Sequence, residues 1–247
     1  GGRNNISLNA SVRASATFNK EKWNWSNDLS LAFGGIKYLD ESEVIMYQKT
    51  DDNIDLSSML GIRISKKYLI SLNAGFKTQF ADGFNYPNDS IAISKFMAPG
   101  YMNLALGTDY VKDANFSVFG SPFAAKTTFV MDDSLSQIGS FGVEKGERVR
   151  HEFGAFVKLK WNAELMKNIE MKSKLELFSN YLNNPQNIDV NAELVFVFRV
   201  NSLFSATAQW NLIYDDDIQI RDIDGNVGPR TQFKSVLGIG ISYKLEN

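Results

Sequence analysis

The stretch ISLNASVRASATF, residues 6 to 18, sets Ile6, Leu8, Ala10, Val12, Ala14, Ala16 and Phe18 against Ser7, Asn9, Ser11, Arg13, Ser15 and Thr17. Alternation of this kind belongs to a β-strand, whose successive side chains point to opposite faces. A half-buried strand of an ordinary globular domain runs ~5–6 residues. Here the pattern holds without a break from 6 to 18, a length better suited to crossing a bilayer than to covering a small core. The even positions are then expected to face lipid and the odd ones a lumen.

The pattern recurs ten times, over 22–33, 54–65, 68–80, 100–111, 115–131, 148–161, 169–181, 188–200, 204–214 and 233–245. In 148–161, for example, Val149, Phe153, Ala155, Val157, Leu159 and Trp161 oppose Arg148, Arg150, Glu152, Lys158 and Lys160. The stretch 115–131 changes parity midway. Phe116 and Val118 share a face, but after Ser121-Pro122 it is Phe123, Ala125 and Phe129 that take it, and a proline that cannot donate to a ladder implies a bulge or kink there. No stretch competes as a helix.

The connections alternate in length. Short ones (20–22, 66–67, 112–115, 164–168, 201–202) are separated by mostly longer ones (39–50, 82–99, 132–147, 183–187, 215–231). Long strands with tight turns at one end and long loops at the other describe an all-β, antiparallel, up-and-down transmembrane β-barrel, one domain over residues 1–247 in the cell outer membrane. The physical reason is strict: in hydrocarbon every backbone N–H and C=O must pair within the protein. Trp23, Trp25, Tyr68, Phe116, Trp161 and Phe204 fall near the short turns, and Phe80, Tyr181, Tyr214 and Phe233 near the long loops, as two interfacial girdles require. Eleven strands are visible. Because the last is expected to run downward and single-chain bacterial barrels have even strand numbers, the count implies a twelfth strand before Gly1 in the intact barrel.

Composition removes other classes. With 26 basic and 28 acidic residues the net charge is −2, which gives no broad basic surface for a nucleic acid. Cysteine is absent, so thiolate metal sites and disulfides are excluded. No apolar run approaches the ~20 residues of a membrane-spanning helix.

Near the C-terminus GISYKL, 240–245, resembles the terminal signal by which the barrel-assembly machinery recognises outer-membrane barrels, although the chain ends Glu246-Asn247 rather than on an aromatic residue. Four further segments, KTDDNIDL (49–56), KTQFADGFNYPNDS (77–90), FMAPGYMNLALGTDY (96–110) and LFSNYLNNPQNIDVN (177–191), resemble an uncharacterised outer-membrane barrel family of Bacteroidota, a domain of unknown function. The resemblance implies location and fold, and a further amphipathic stretch before the position of Gly1. It brings no substrate and no site.

Residues that carry chemistry are sparse. His151 is the only histidine, on the expected lipid side near an outer loop, so a serine–histidine lipase pair and a multi-histidine metal site are both disfavoured. The expected lumen-lining residues are Arg63, Lys77, Arg148, Arg150, Glu152, Lys158, Lys160, Lys172, Lys174, Glu176, Glu193 and Arg199. They read either as a cross-strand salt-bridge ladder or as the wall of an anion-attracting pore. In YDDDIQIRDIDGN, 214–226, Asp215, Asp216, Asp217, Asp222 and Asp224 read as an acidic turn or as part of a calcium loop whose full spacing is missing. The loop carrying Phe84, Tyr86 and Phe96 either folds inward as a plug or presents a partner surface. The expectation is therefore a non-enzymatic scaffold or accessory subunit of a cell-envelope complex, with no cofactor and no nucleic acid, in contact with outer-membrane lipid and other envelope proteins. The alternative is a narrow porin-like channel for small anionic solutes.

Overall fold

A computed structural model describes residues 4–39, 47–201, 203–221 and 226–241 of the chain. The strands are β1 (Asn5–Lys20), β2 (Trp23–Tyr38), β3 (Gln48–Arg63), β4 (Tyr68–Thr78), β5 (Gly83–Phe84), β6 (Ala92–Ser94), β7 (Gly100–Asp113), β8 (Phe116–Phe129), β9 (Val149–Met166), β10 (Ile169–Asn180), β11 (Ile188–Arg199), β12 (Phe204–Tyr214), β13 (Gln219–Arg221), β14 (Val227–Pro229) and β15 (Gln232–Ile241). One short helix, α1 (Asp133–Gln137), precedes β9. Eleven strands form one sheet in the order β1-β2-β3-β4-β7-β8-β9-β10-β11-β12-β15, while β5 pairs only with β6 and β13 only with β14. Each long strand thus lies beside the next long strand in the chain, the up-and-down arrangement expected from the alternation. The first and last of the eleven each have one neighbour in that order.

Short turns are made by residues that supply their own hydrogen bonds or tolerate left-handed backbone. Asp113 Oδ1 accepts from the N–H groups of Asn115 and Phe116, and Asn201 Oδ1 accepts from those of Leu203 and Phe204. Asn168, with φ +72°, closes the turn between β9 and β10.

Two expectations need correction. β3 begins at Gln48, inside the expected 39–50 connection and ahead of the alternation that starts at Ile54, because β2 carries its pairing on to Ile36 opposite Gln48 past an irregularity at Gly34/Gly35. The polar run Lys49 to Asn53 hides this from a hydrophobic pattern. The loop 132–147 also holds the short helix α1 and a tight turn at Ser140–Gly142, where Phe141 and Gly142 take φ +57° and +75°. Asp132 caps α1 by accepting from Leu135 N–H at 3.1 Å; five residues are too few for a helical period to register. The segment 40–46, Asp222, Asp224 and residues 242–247, with most of GISYKL, lie outside the described residues.

The parity change in β8 is present. Phe119 and Ser121 are buried, Pro122 and Phe123 are exposed in succession, and Ala124 is buried again. Ser121 Oγ accepts from Phe123 N–H at 3.1 Å and donates to Leu106 O at 2.7 Å, so its side chain bonds backbone groups at the parity change.

Burial is inverted relative to a water-soluble sheet. Covered positions include Ser71, Asn73, Asp109, Glu152, Lys158, Glu176 and Ser205, while Leu60, Ile70, Leu104, Leu106, Phe123, Val157 and Trp161 stand exposed on the alternate positions. The main clusters lie within two compact units, Gly1–Ile62 with Leu72–Ala105 and Ala125–Glu152, and Arg63–Ser71 with Leu106–Ala124 and Phe153–Asn247. In the first, Ala98, Val130, Leu135 and Val143 form an apolar cluster under Phe141. In the second, Phe119 and Phe156 pack with ring centroids 6.2 Å apart, and Phe178 lies opposite Phe156 in the β9–β10 register.

Candidate functional site

The covered face of β9, β10 and β11 carries the charged row. Register places Lys158 opposite Glu176, and Glu176 opposite Asn191; two residues further along, Lys174 lies between Lys160 and Glu193. Glu176 is the shared acceptor. Its Oε1 lies 3.7 Å from Lys158 Nζ and 3.2 Å from Lys174 Nζ, and its Oε2 accepts from Asn191 Nδ2 at 3.2 Å. Glu193 accepts from Gln209 Nε2 at 3.2 Å. The Lys158 side chain is only 3% exposed, so the arrangement resolves a buried cation by pairing it rather than presenting it to solvent.

This row abuts the aromatic one. Phe156 and Phe178 lie opposite each other two residues along the same strands from Lys158 and Glu176. Gly154, next on that face of β9, is held to glycine by close approach: an added Cβ there would sit 1.8 Å from Ser179 O. The covered face of this unit thus carries rings and paired charges, and the sequence pattern that named only its polar residues missed Phe119, Phe156 and Phe178. Their placement on the polar parity was the available signal.

The remaining charged residues separate. In the first unit Glu152, buried, lies 2.8 Å from Arg150 Nη2 and 3.7 Å from Lys126 Nζ, and Lys77 lies 3.9 Å from Asp55. Arg63 donates to Lys66 O in a turn, and Arg148 pairs with Asp133 of α1, so these two serve a turn and a loop. Arg199 reaches Glu170 at 2.7 Å at the end of the sheet that carries the β9–β10 and β11–β12 turns. Lys172 is exposed. His151 is exposed, with Nδ1 3.1 Å from Thr127 Oγ1. Among the described residues no group of His, Cys, Asp and Glu is arranged to hold a metal ion.

The described parts of the long connections are folded. Asp52 accepts from the N–H groups of Phe80 and Ala81 at 2.7 and 3.0 Å and from Lys49 Nζ at 2.9 Å, anchoring the chain as it leaves β4. Thr78 Oγ1 donates to Pro99 O and accepts from Met97 N–H, both at 3.0 Å. Lys95 reaches Asp132 at 2.8 Å, joining the 82–99 loop to the cap of α1. That hydrogen bond is the main cause of Asp132 being held below the usual carboxylate range, helped by Leu135 N–H, and of Lys95 being raised. Phe84 packs on Tyr86 with centroids 6.2 Å apart, whereas Phe96, with Ile91 and Ile93, is exposed. In the other unit Asp217 N–H donates to Asp215 Oδ1, Tyr214 OH to Asp216 Oδ1, Asn187 to Asp216 and Asn183 to Asp217. The described part of the acidic loop is therefore a hydrogen-bonded turn tied to the 183–187 connection.

Residues 1–84 match a family described as a protein of unknown function, DUF3078. The matched part contains 49–56 and runs into 77–90; 96–110 and 177–191 lie beyond it. The family description states neither a location nor a lineage. No curated protein matches the chain.

Proposed function

We propose that the protein is an outer-membrane β-barrel that serves, without catalysis, as a scaffold or accessory subunit of a cell-envelope complex. The observation that carries the membrane part is the inverted burial: large apolar side chains exposed in long alternating rows, with Glu152, Lys158 and Glu176 on the covered face. In water such rows would be exposed apolar patches far larger than a monomer ordinarily tolerates; against lipid they are the matching surface. No helix among the described residues is long and apolar enough to cross a membrane, which leaves strand crossing open. The non-conducting part is supported by the rings of Phe119, Phe156 and Phe178 and the Lys158–Glu176 pair, which occupy the face a pore would need. The scaffold part is supported by the ordered outer loops, in which apolar Ile91, Ile93 and Phe96 are displayed on a framework fixed by Asp52, Thr78 and Lys95. Outer-membrane lipid and other envelope proteins are the proposed partners, and a Bacteroidota origin is proposed from the sequence resemblance alone.

Two measurements on protein from native membranes test this. Planar-bilayer recordings are expected to be silent, and affinity capture under mild detergent to yield a stoichiometric assembly. Steady anion-selective currents that fall on neutralising Lys158 and Lys172 would instead establish the channel, and a solitary, soluble monomer would remove both readings.

A further inference from the structure

Val111 N–H donates to Lys67 O at 2.9 Å, which carries the β4–β7 pairing past the first residue of β4. Such a bond joins residues that stand opposite each other in an antiparallel ladder. Tyr68 therefore faces Tyr110, and their rings lie 5.2 Å apart. Tyr68 is exposed, on the parity of exposed Ile70 and Leu106 rather than that of buried Leu69. The next positions of that parity, at the turn end, are Lys66 and Lys112, with Lys67 beside them. All of these residues belong to the second compact unit. The lysines are exposed, and none has an ion-pair partner among the described residues. Arg63 Nη1 donates to Lys66 O at 3.1 Å, so a further cation holds the β3–β4 turn. Asp113 is the single carboxylate of the two turns, and its Oδ1 is engaged by the N–H groups of Asn115 and Phe116. Like charges set opposite each other are destabilising, and an anion lying between them replaces that repulsion with attraction.

Resting on the membrane reading above, we propose that this corner of the β4–β7 wall binds one phospholipid with a negatively charged headgroup, drawn from the leaflet on the short-turn side. The ammonium groups of Lys66, Lys67 and Lys112 take the phosphate. The Tyr68 and Tyr110 rings lie at headgroup depth, where a ring that is apolar in body and polar at its tip is at home. Ile70 and Leu106 continue the exposed row along which an acyl chain runs. The order of these groups selects the occupant. A free phosphate would use the cations and leave the rings and Ile70 uncovered. An acidic soluble protein would use the cations too, but its charged surface has no match in the apolar row. A zwitterionic headgroup brings its own ammonium, which the lysines repel. An anionic amphiphile meets charge with charge at the turns and hydrocarbon with hydrocarbon on the strands. Lysine suits the task because its stem lies along apolar surface while its head reaches the interface.

Native mass spectrometry of the full-length protein in a neutral detergent tests the assignment, with phosphatidylglycerol and phosphatidylcholine of matched chains as probes. The parent is expected to retain phosphatidylglycerol at a ~10-fold lower lipid concentration than phosphatidylcholine, and the combined variant Lys66→Gln, Lys67→Gln, Lys112→Gln to bind the two alike. Lys167→Gln, at the β9–β10 turn, is expected to keep the parent's preference. Glycerol phosphate, the headgroup without its chains, is expected not to compete at the concentration where the lipid binds. The heat-modifiable band on cold electrophoresis reports that each variant is folded. A parent without preference, a preference that survives in the combined variant, or an equal loss in Lys167→Gln overturns the proposal. So does competition by glycerol phosphate, or an acidic protein held by these lysines in place of lipid. None of those results touches the membrane reading, which falls instead if the parent stays monodisperse without detergent.

Discussion

Lys158 and Glu176 face each other across the β9–β10 ladder with Nζ and Oε1 3.7 Å apart, and both are almost fully withdrawn from solvent. A buried pair of this kind contributes little beyond an apolar pair of the same shape, yet removing one partner is costly because the other stays charged. Glu176→Ala is therefore expected to destabilise by about 3–5 kcal/mol in urea unfolding from vesicles, and Lys158→Met in that background to restore much of the loss. A double-variant loss equal to the sum of the two single losses would show that the two charges are not coupled.

The exposed rows carry the membrane reading, and one position reports on them directly. Leu106, on β7, is 53% exposed. Leu106→Lys is expected to cost about 2–4 kcal/mol when that face meets lipid, against within about 0.5 kcal/mol at a water-facing site. Unfolding of both forms from vesicles decides between them.

Gly154 is fixed by Ser179 O, which an added Cβ would approach to 1.8 Å. Gly154→Val is expected to break the β9–β10 register and to remove the compact, heat-modifiable band on cold electrophoresis. Gly146→Ala, in a loop where a Cβ meets nothing within 4 Å but φ is +86°, is expected to keep that band.

Asp52 holds the start of the 79–99 connection through Phe80 N–H and Ala81 N–H. Asp52→Ala leaves those donors unsatisfied, at about 1–3 kcal/mol each where buried. Limited proteolysis is expected to cut between 79 and 95 in the variant well before the parent chain, with the strands left intact.

The Lys95–Asp132 contact gives a pH window. Asp132 is lowered, so its contribution is present above the ordinary carboxylate value of about 3.9 and is lost as pH falls through its lower folded value. Lys95 is raised, so its contribution is present below the ordinary lysine value of about 10.4 and is lost as pH rises past its higher folded value. Protection of the 132–147 loop is expected to be flat between these limits and to fall outside them. In Asp132→Asn the acid limb should disappear, and its persistence would assign that limb to another carboxylate.

Much of the fold was legible because a strand writes its two faces into the chain at period two. The stretch 6–18 gives β1, Ser121-Pro122 gives the parity change of β8, and the short-turn spacing gives the up-and-down order of eleven strands. What escaped has a physical cause in each case. Lys49 to Asn53 are polar on both parities, so the start of β3 leaves no alternation, and α1 is held by its Asp132 cap and by Arg148 rather than by any period.

The residues alone determined which side chains share a face. Only the tertiary structure decided which of them meet: that Glu176 serves both Lys158 and Lys174, that Arg148 leaves the charged row for Asp133, and that Phe119 and Phe156 close on each other. Parity is a local property of one strand, set by backbone geometry, whereas partners depend on the register between strands. A shift of two residues along a ladder preserves every face and changes every pair.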